Sequence, residues 1–367
     1  MKDFLNIIEL NSKNLLQNFD FFQELAQFVF PVVKANAYGH GIEQVAKILE
    51  DRDFPYLVFD KYYEYHNYKD TITQNVLIMG WIEARDLINL DFQKVAIVVQ
   101  SMETIATLGA LNFKIKIHLE INTGMNRWGI KPIELLEYLE LIESFPNLEL
   151  EGVMSHLANS DAVNLKYTTI QTLIFDECVQ SIFDSGFNPK YIHLGQTAGS
   201  IKNTSQFVNS IRPGIGLYGI NHLEKSDRSY KKLKNTKPTL TLKTKIIKII
   251  KLKKGESVGY NCTFIAQEDC NIAVLPIGYF EGTNRGLGNL GSVKIKNKFY
   301  KFAGKICMNI CMINLGSSEY PEGTVVEMIS KKHNDQNSIN NIAKITNTFH
   351  YGLLTSLNHN LVRKIVQ

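Results

Sequence analysis

The chain has 367 residues, 44% hydrophobic and 21% charged, which supplies a full core and suggests two domains. A net charge of +4, with lysines scattered along the chain, gives no reason to expect a nucleic-acid partner. No apolar run reaches the ~18 residues of a membrane span and the N-terminus lacks a signal-peptide pattern; five cysteines without a CxxC pair suit a reducing, cytoplasmic setting with no metal site.

After a terminal strand at 1–9, apolar runs lie at 27–34, 56–60, 75–80, 95–99, 114–120, 149–156, 190–195 and 209–217. Amphipathic, helical patterns occupy 12–25, 42–50, 61–69, 82–90, 102–110, 132–144, 164–186 and 198–206. Eight such units in about 210 residues predict a (β/α)8 barrel, an α/β fold, over 10–223. A doubly wound sheet is the competing fold, but no GxGxxG follows any strand. Beyond 223 the pattern changes. Residues 239–246 alternate with period two, and strand-like pieces follow at 271–279, 291–296, 299–303, 305–315 and 323–330, with 338–346 as the one helical segment. A mostly β domain is therefore expected over 224–367, joined by the strand at 1–9, with its boundary in the polar stretch 224–237.

The first apolar run ends in Pro31-Val32-Val33-Lys34-Ala35-Asn36-Ala37-Tyr38-Gly39-His40-Gly41. A lysine at the C-terminal end of a barrel strand stands where such enzymes place reacting groups, and a desolvated lysine is a Schiff-base former. For an isolated lysine, a side chain snorkelling from a strand end is the plainer reading. The loops after the seventh and eighth runs decide against it. The first offers the Thr197 hydroxyl at a helix start, and the second offers backbone donors at Gly214 and Ile215. Together they point to a phosphorylated cofactor, and with Lys34 to pyridoxal phosphate.

Residues 31–41 closely resemble the pyridoxal-phosphate signature of alanine racemases. Further landmarks follow in that family's order: residues 118–129, Ser155 with His156, residues 212–215, Gly259 with Tyr260, residues 278–282, residues 304–309, and Tyr351. The resemblance covers essentially the whole chain. It implies a barrel plus a β domain working as a head-to-tail homodimer, with each active site closed by the partner's β domain. Lys34 would hold pyridoxal 5'-phosphate. Tyr38, Thr197, Gly214, Ile215 and Tyr351 would bind its phosphate, and Arg212 would face its pyridine nitrogen. Arg127 would lie near the cofactor's phenolic oxygen and the substrate carboxylate. Tyr260, from the other subunit, would be the second base, opposite Lys34. Met308 of that subunit would give its backbone N–H to the carboxylate, while Tyr279 and Arg285 would line the entrance. His156 is a candidate link to Arg212 or Tyr260, with a satisfied core histidine as the plainer reading.

Four positions depart from the family pattern. Glu120 replaces a lysine that many relatives carbamylate, bringing a carboxylate without CO2; it is expected to pair with Arg127. Asn122 replaces an Asp at a turn, Gln196-Thr197 replaces Asn-Ser, and Asn309 replaces the Asp after Met308. The resemblance thus implies racemisation of alanine, supplying D-alanine for peptidoglycan, with no membrane partner. Asn309 leaves open a racemase of the same fold preferring serine, lysine or a broader set. A non-catalytic cofactor-binding barrel would not need Tyr260, and a decarboxylase of related architecture would want a cysteine-bearing loop.

Overall fold

In the computed structural model, which describes residues 5–367, the eight apolar runs form one parallel sheet. Counting β1 (Ile7–Asn11), which belongs elsewhere, these strands are β2 (Phe28–Val29), β3 (Leu57–Phe59), β4 (Val76–Ile78), β5 (Val95–Val99), β6 (Ile115–Glu120), β7 (Leu148–Met154), β8 (Tyr191–Gln196) and β9 (Ser210–Arg212). Their order is β2-β9-β8-β7-β6-β5-β4-β3. The curl closes where Val32 bridges Val58 and the Val33 N–H donates to the Val58 carbonyl at 2.9 Å. All five residues of β5 are buried, because the barrel interior covers one face and helices the other.

Helices return the chain between strands: α1 (Ser12–Gln23), α2 (Ile42–Ile48), α3 (Tyr62–His66), α4 (Ala84–Leu87), α5 (Met102–Gly109), α6 (Leu135–Glu143), α7 (Lys166–Asp184) and α8 (Thr197–Ile201). Several elements are shorter than their sequence patterns, two of them beside the expected phosphate-binding loops. The run at 209–217 is strand only through Arg212; Pro213 has no N–H to donate, and the Leu217 N–H turns back to the Gly214 carbonyl at 2.9 Å. The helix expected over 198–206 stops at Ile201, and Asn203 Oδ1 accepts the Ser205 N–H at 3.1 Å in a local turn.

In the second half, β10 (Leu240–Lys245) pairs antiparallel with β1, whose other neighbour is the parallel β19 (Val362–Val366). Residues 1–4 of the terminal strand expected at 1–9 lie outside the described residues. β15 (Ser292–Ile295), β16 (Lys298–Lys301) and β18 (Val325–Ile329) complete this six-stranded sheet. β11 (Lys248–Leu252), β14 (Cys270–Leu275) and β17 (Cys311–Gly316) form a second sheet, and β12 (Ser257–Val258) pairs antiparallel with β13 (Phe264–Ile265). The run at 305–315 is strand only from Cys311, because the Cys307 N–H closes a turn on the Ile310 carbonyl at 2.9 Å. The segment at 338–346 is not the one helix of this half. A single turn at Tyr230–Leu233 (α9) and α10 (Ile339–Ile345) are followed by α11 (His350–Thr355), in which Leu353 and Leu354 are buried. His-Tyr-Gly is a poor helix start, and packing of the two leucines overrides that propensity.

Candidate active site

Lys34 opens a left-handed turn. Ala35, Asn36, Ala37 and Tyr38 have φ of 54°, 53°, 51° and 53°, a conformation that L-residues adopt at a cost of roughly 1–2 kcal/mol each. The surroundings hold them there. Glu64 Oε1 accepts the Asn36 N–H at 2.7 Å, and Asn36 Oδ1 accepts the Ile42 N–H at 3.1 Å. Gly39, at φ 80°, comes so close to α11 that a Cβ would lie 2.0 Å from the Leu354 carbonyl oxygen. The Gly39 carbonyl accepts two bonds from the Arg363 guanidinium, at 3.0 and 2.9 Å. Lys34 Nζ lies 3.6 Å from Asp60 Oδ1 with its side chain a third exposed. The expectation of a water-excluded amine therefore fails for the single chain, because the turn sits at the open end of the barrel.

Tyr38, Thr197, Gly214 and Tyr351 meet beside this turn. Thr197 Oγ1 accepts the N–H groups of Gly214 and Gly216 at 3.2 and 3.1 Å, tying the loops after β8 and β9 together. Gln196, not Thr197, is the N-cap of α8. A Cβ on Gly214 would lie 2.4 Å from the Tyr38 hydroxyl, and the Tyr38 and Tyr351 rings are 6.0 Å apart. Burial, reinforced by Asp60 for Tyr38 and by Asp161 for Tyr351, pushes both phenols up, so they stay neutral donors. The Ile215 side chain is fully in the core.

Arg212 is 2% exposed. Its Nη1 donates to His193 Nδ1 at 2.6 Å and to the His193 carbonyl at 2.8 Å; its Nη2 donates to the carbonyls of Ser155 at 2.7 Å and Leu194 at 3.2 Å. Burial lowers the guanidinium to about 10, opposed by Glu120. The histidine that bonds Arg212 is thus His193, where sequence suggested His156. His156 lies in the field of Arg212, Arg127 and Lys34, and burial followed by those cations lowers it to about 3, leaving it neutral. Glu120 is buried and accepts from Gln100 Nε2 at 2.9 Å. Burial raises its carboxyl, against the Gln100 bond and then the fields of Arg212 and Arg127. Its hydrogen bond goes to Gln100 instead of Arg127 because Arg127 stands on an exposed loop. There Asn122 Oδ1 accepts the N–H groups of Gly124 and Asn126 at 3.1 and 3.0 Å.

The remaining candidates lie on the β domain. Tyr260 is 67% exposed in a groove with Gly259, Cys307, Met308, Asn309 and Ile310, and no barrel residue lines it. Tyr279 and Phe280 dock on this loop through the carbonyls of Cys307 at 3.1 Å and Met308 at 2.9 Å. Asn309 Nδ2 donates to Glu281 Oε1 at 2.9 Å, and Arg285 is exposed at the start of a short helical turn, Arg285–Leu287. One chain therefore gathers Lys34, Tyr38, Glu120, His156, Thr197, Arg212, Gly214 and Tyr351 at the barrel's open end, with Tyr260, Met308, Tyr279 and Arg285 on a separate face. Sequence reasoning missed Asp60, Glu64 and His193, along with a His222–Asp161 contact at 3.3 Å beside Tyr351. The available signal for His193 was its place inside an apolar strand.

Among the described residues no His, Cys, Asp and Glu cluster is suited to a metal, and no helix is long and apolar enough to cross a membrane. Residues 10–222 match the family model for the alanine racemase N-terminal domain, and residues 239–365 match that for the alanine racemase C-terminal domain. A curated alanine racemase of Helicobacter pylori is 30% identical over 98% of this chain and 99% of its own length. One of Francisella tularensis is 33% identical over 99% of this chain and all of its own. The solved alanine racemase of Clostridium difficile 630 superposes with a TM-score of 0.91 at 26% identity, covering 100% of this chain and 97% of that one. The alanine racemase of Bacillus anthracis with bound L-Ala-P gives 0.88 at 28%, covering 100% and 96%.

Proposed function

Because the chain belongs to the alanine racemase family, we propose that it interconverts L- and D-alanine with pyridoxal 5'-phosphate held on Lys34. The observation that carries this reading is the convergence of a lysine, a buried arginine and a Tyr-Thr-Gly cradle at one end of a barrel. The names of the matching relatives support alanine over serine or lysine as substrate.

The residues fit the cofactor. Glycine at 214 lets its loop pass close against Tyr38, where a Cβ would lie 2.4 Å from the hydroxyl, and two neutral phenols, Tyr38 and Tyr351, can donate to a phosphate. Thr197, having accepted from two backbone N–H groups, keeps its own proton to give, and Ile215 offers its backbone. Bound there, pyridoxal phosphate supplies an electron sink that acidifies the α-hydrogen of the amino acid. Lys34 Nζ takes or returns that proton on one face, and Tyr260 of the partner subunit serves the other through its phenolic oxygen. Arg212 cannot readily surrender a proton, so beside the pyridine nitrogen it would leave that atom unprotonated, which would weaken the sink and restrain transamination. Neutral His156 neighbours Arg212 without competing for charge. Arg127 and the partner's Met308 orient the carboxylate, while Tyr279 of the partner subunit and Arg285 of the partner subunit line the entrance. Glu120 balances the two arginines, and Asn309 fixes the loop of Met308 through Glu281.

The exposure of Tyr260 (67%) and Met308 (55%) supports a homodimer with shared sites, since both side chains wait for a surface to cover them. Five free cysteines support a reducing, cytoplasmic setting, where D-alanine would feed peptidoglycan synthesis. The test is to load the purified protein with pyridoxal phosphate, reduce it with borohydride, map the adduct, and follow L-alanine by chiral analysis. An adduct on Lys34 and a final mixture of both enantiomers are expected. A label elsewhere, or L-alanine left unchanged, would overturn the reading.

A further inference from the structure

Behind Arg212 the barrel interior holds polar groups that the proposed reaction does not use. His193 Nε2 lies 2.8 Å from His118 Nδ1, and His118 Nε2 lies 3.4 Å from Glu151 Oε2. The same carboxylate oxygen accepts from the Tyr56 hydroxyl at 2.5 Å, and its other oxygen pairs with Lys116 Nζ at 2.8 Å. Both imidazoles are fully buried, and Glu151 and Tyr56 nearly so; Lys116 is the member half exposed. These side chains come from neighbouring strands: His118 from β6, Glu151 from β7, His193 from β8 and Arg212 from β9.

The donors fix the direction of every bond. A guanidinium can only donate, so His193 Nδ1 accepts and Nε2 carries the ring proton. That proton is donated to His118 Nδ1, so His118 in turn carries its proton on Nε2 and gives it to Glu151. Burial, and then the Arg212 charge, keeps His193 neutral. Burial likewise lowers His118, against its bond to Glu151. Burial opposes ionisation of Glu151, but the bonds from His118, Lys116 and Tyr56 outweigh it and hold the carboxyl down to about 2. Packing leaves the rings no room to turn. A Cβ on Gly152 would lie 2.3 Å from His118 Nδ1, and Tyr191 stacks on the His118 ring at 5.9 Å.

We propose that Glu151, His118 and His193 are positioning residues for Arg212. Glu151 sets the tautomer of His118, His118 sets that of His193, and His193 thereby presents a lone pair that fixes the Arg212 guanidinium. The aim of Arg212 at the reacting centre is thus decided by an acceptor two imidazoles away. This rests on the racemase reading for its catalytic consequence, but not for the tautomers themselves.

The experiment uses full-length protein with 15N-labelled histidine, first without cofactor. His118 and His193, assigned by substitution of each, should both be neutral Nε2–H tautomers at about pH 7. Either ring found as Nδ1–H or protonated would overturn the relay. Glu151→Leu removes the terminal acceptor and should mix the tautomers of both rings. Loaded with pyridoxal phosphate, it should lower kcat per bound cofactor by about tenfold or more, with KM for alanine within about twofold, because misaiming by ~1 Å has costs of that order. Glu151→Gln keeps an acceptor and should restore the single tautomers and most of kcat. A merely structural Glu151 would lower the melting temperature and leave the tautomers and kcat per site unchanged, which would refute the proposal. If Glu151→Leu does not fold, the wild-type and Glu151→Gln spectra still decide. A chain with the expected tautomers that racemises nothing would sink the racemase reading alone.

Discussion

His40 ties the stability of the lysine turn to pH. Its Nδ1 lies 3.0 Å from the carbonyl oxygens of both Ala37 and Tyr38, so that nitrogen carries the proton. The ring stacks on Tyr218 at 4.3 Å, and Nε2 is buried with no hydrogen-bond partner among the described residues. Burial lowers the imidazole from its ordinary 6.5 to about 4, against the pull of the two carbonyls. Between these values the unfolded chain takes up a proton that the folded chain refuses. Stability from neutral His40 is therefore complete above about pH 6.5 and is lost as pH falls through about 4. At 1.36 kcal/mol per pH unit the loss accumulates to about 3 kcal/mol, a large fraction of a typical net stability. His40→Asn keeps an N–H near Nδ1 and removes the titration. Urea unfolding of both proteins at pH 7 and pH 4.5 isolates the effect, since His118, His156 and His193 are common to both. The fall in stability on acidification should be smaller in the variant by about 2–3 kcal/mol, at an unchanged urea slope. Equal falls in the two proteins would refute the assignment.

Tyr260→Phe should cost about 10²–10⁴-fold in turnover, and mixing it with a Lys34→Ala parent should regenerate activity as heterodimers form one intact site. No recovery despite demonstrated subunit exchange would place Tyr260 and Lys34 in the same chain's site. Gly214→Ala drives a methyl to 2.4 Å from the Tyr38 hydroxyl, so pyridoxal phosphate should bind at least about tenfold more weakly while the circular dichroism stays the same. Unchanged affinity in a cofactor titration would mean that the cradle lies elsewhere. Because Glu120 is a permanent carboxylate, activity should survive removal of bicarbonate, and a bicarbonate requirement would show that another group supplies the anion.

The barrel was readable because buried parallel strands are continuous apolar runs, as at 95–99, and a helix separates each from the next. Lys34, Thr197, Gly214 and Arg212 were readable because each ends or follows such a run. What escaped was set by tertiary contact. Asp60 ends β3 and reads as the first polar residue after a strand; only the closure of β2 on β3 brings it to Lys34. His156 reads as a candidate link to Arg212 or Tyr260, whereas His193 on β8 bonds the guanidinium; the pairing of β8 with β9 decides this, and no spacing reveals it. α11 was missed because its His-Tyr-Gly start is a poor helix former, and two leucines docked in the core decide otherwise. The pairing of Glu120 with Gln100 depends on which neighbouring strand carries the nearer donor, which no spacing reveals.

The left-handed turn after Lys34 bears on when the chain becomes competent. Four strained residues in a row need every hold they have, and while Glu64 and Ile42 are made early, two holds come late in synthesis: Leu354 leaves room only for Gly39, and Arg363 holds the Gly39 carbonyl. The strand preceding the barrel is likewise completed by β10 and β19, more than two hundred residues downstream. A ribosome-bound barrel thus carries Lys34, near the start of the chain, on a loop that still lacks two of its holds. The final strand thus reaches back to the first loop of the barrel, and loss of a few C-terminal residues should loosen the turn at Lys34, far away in sequence.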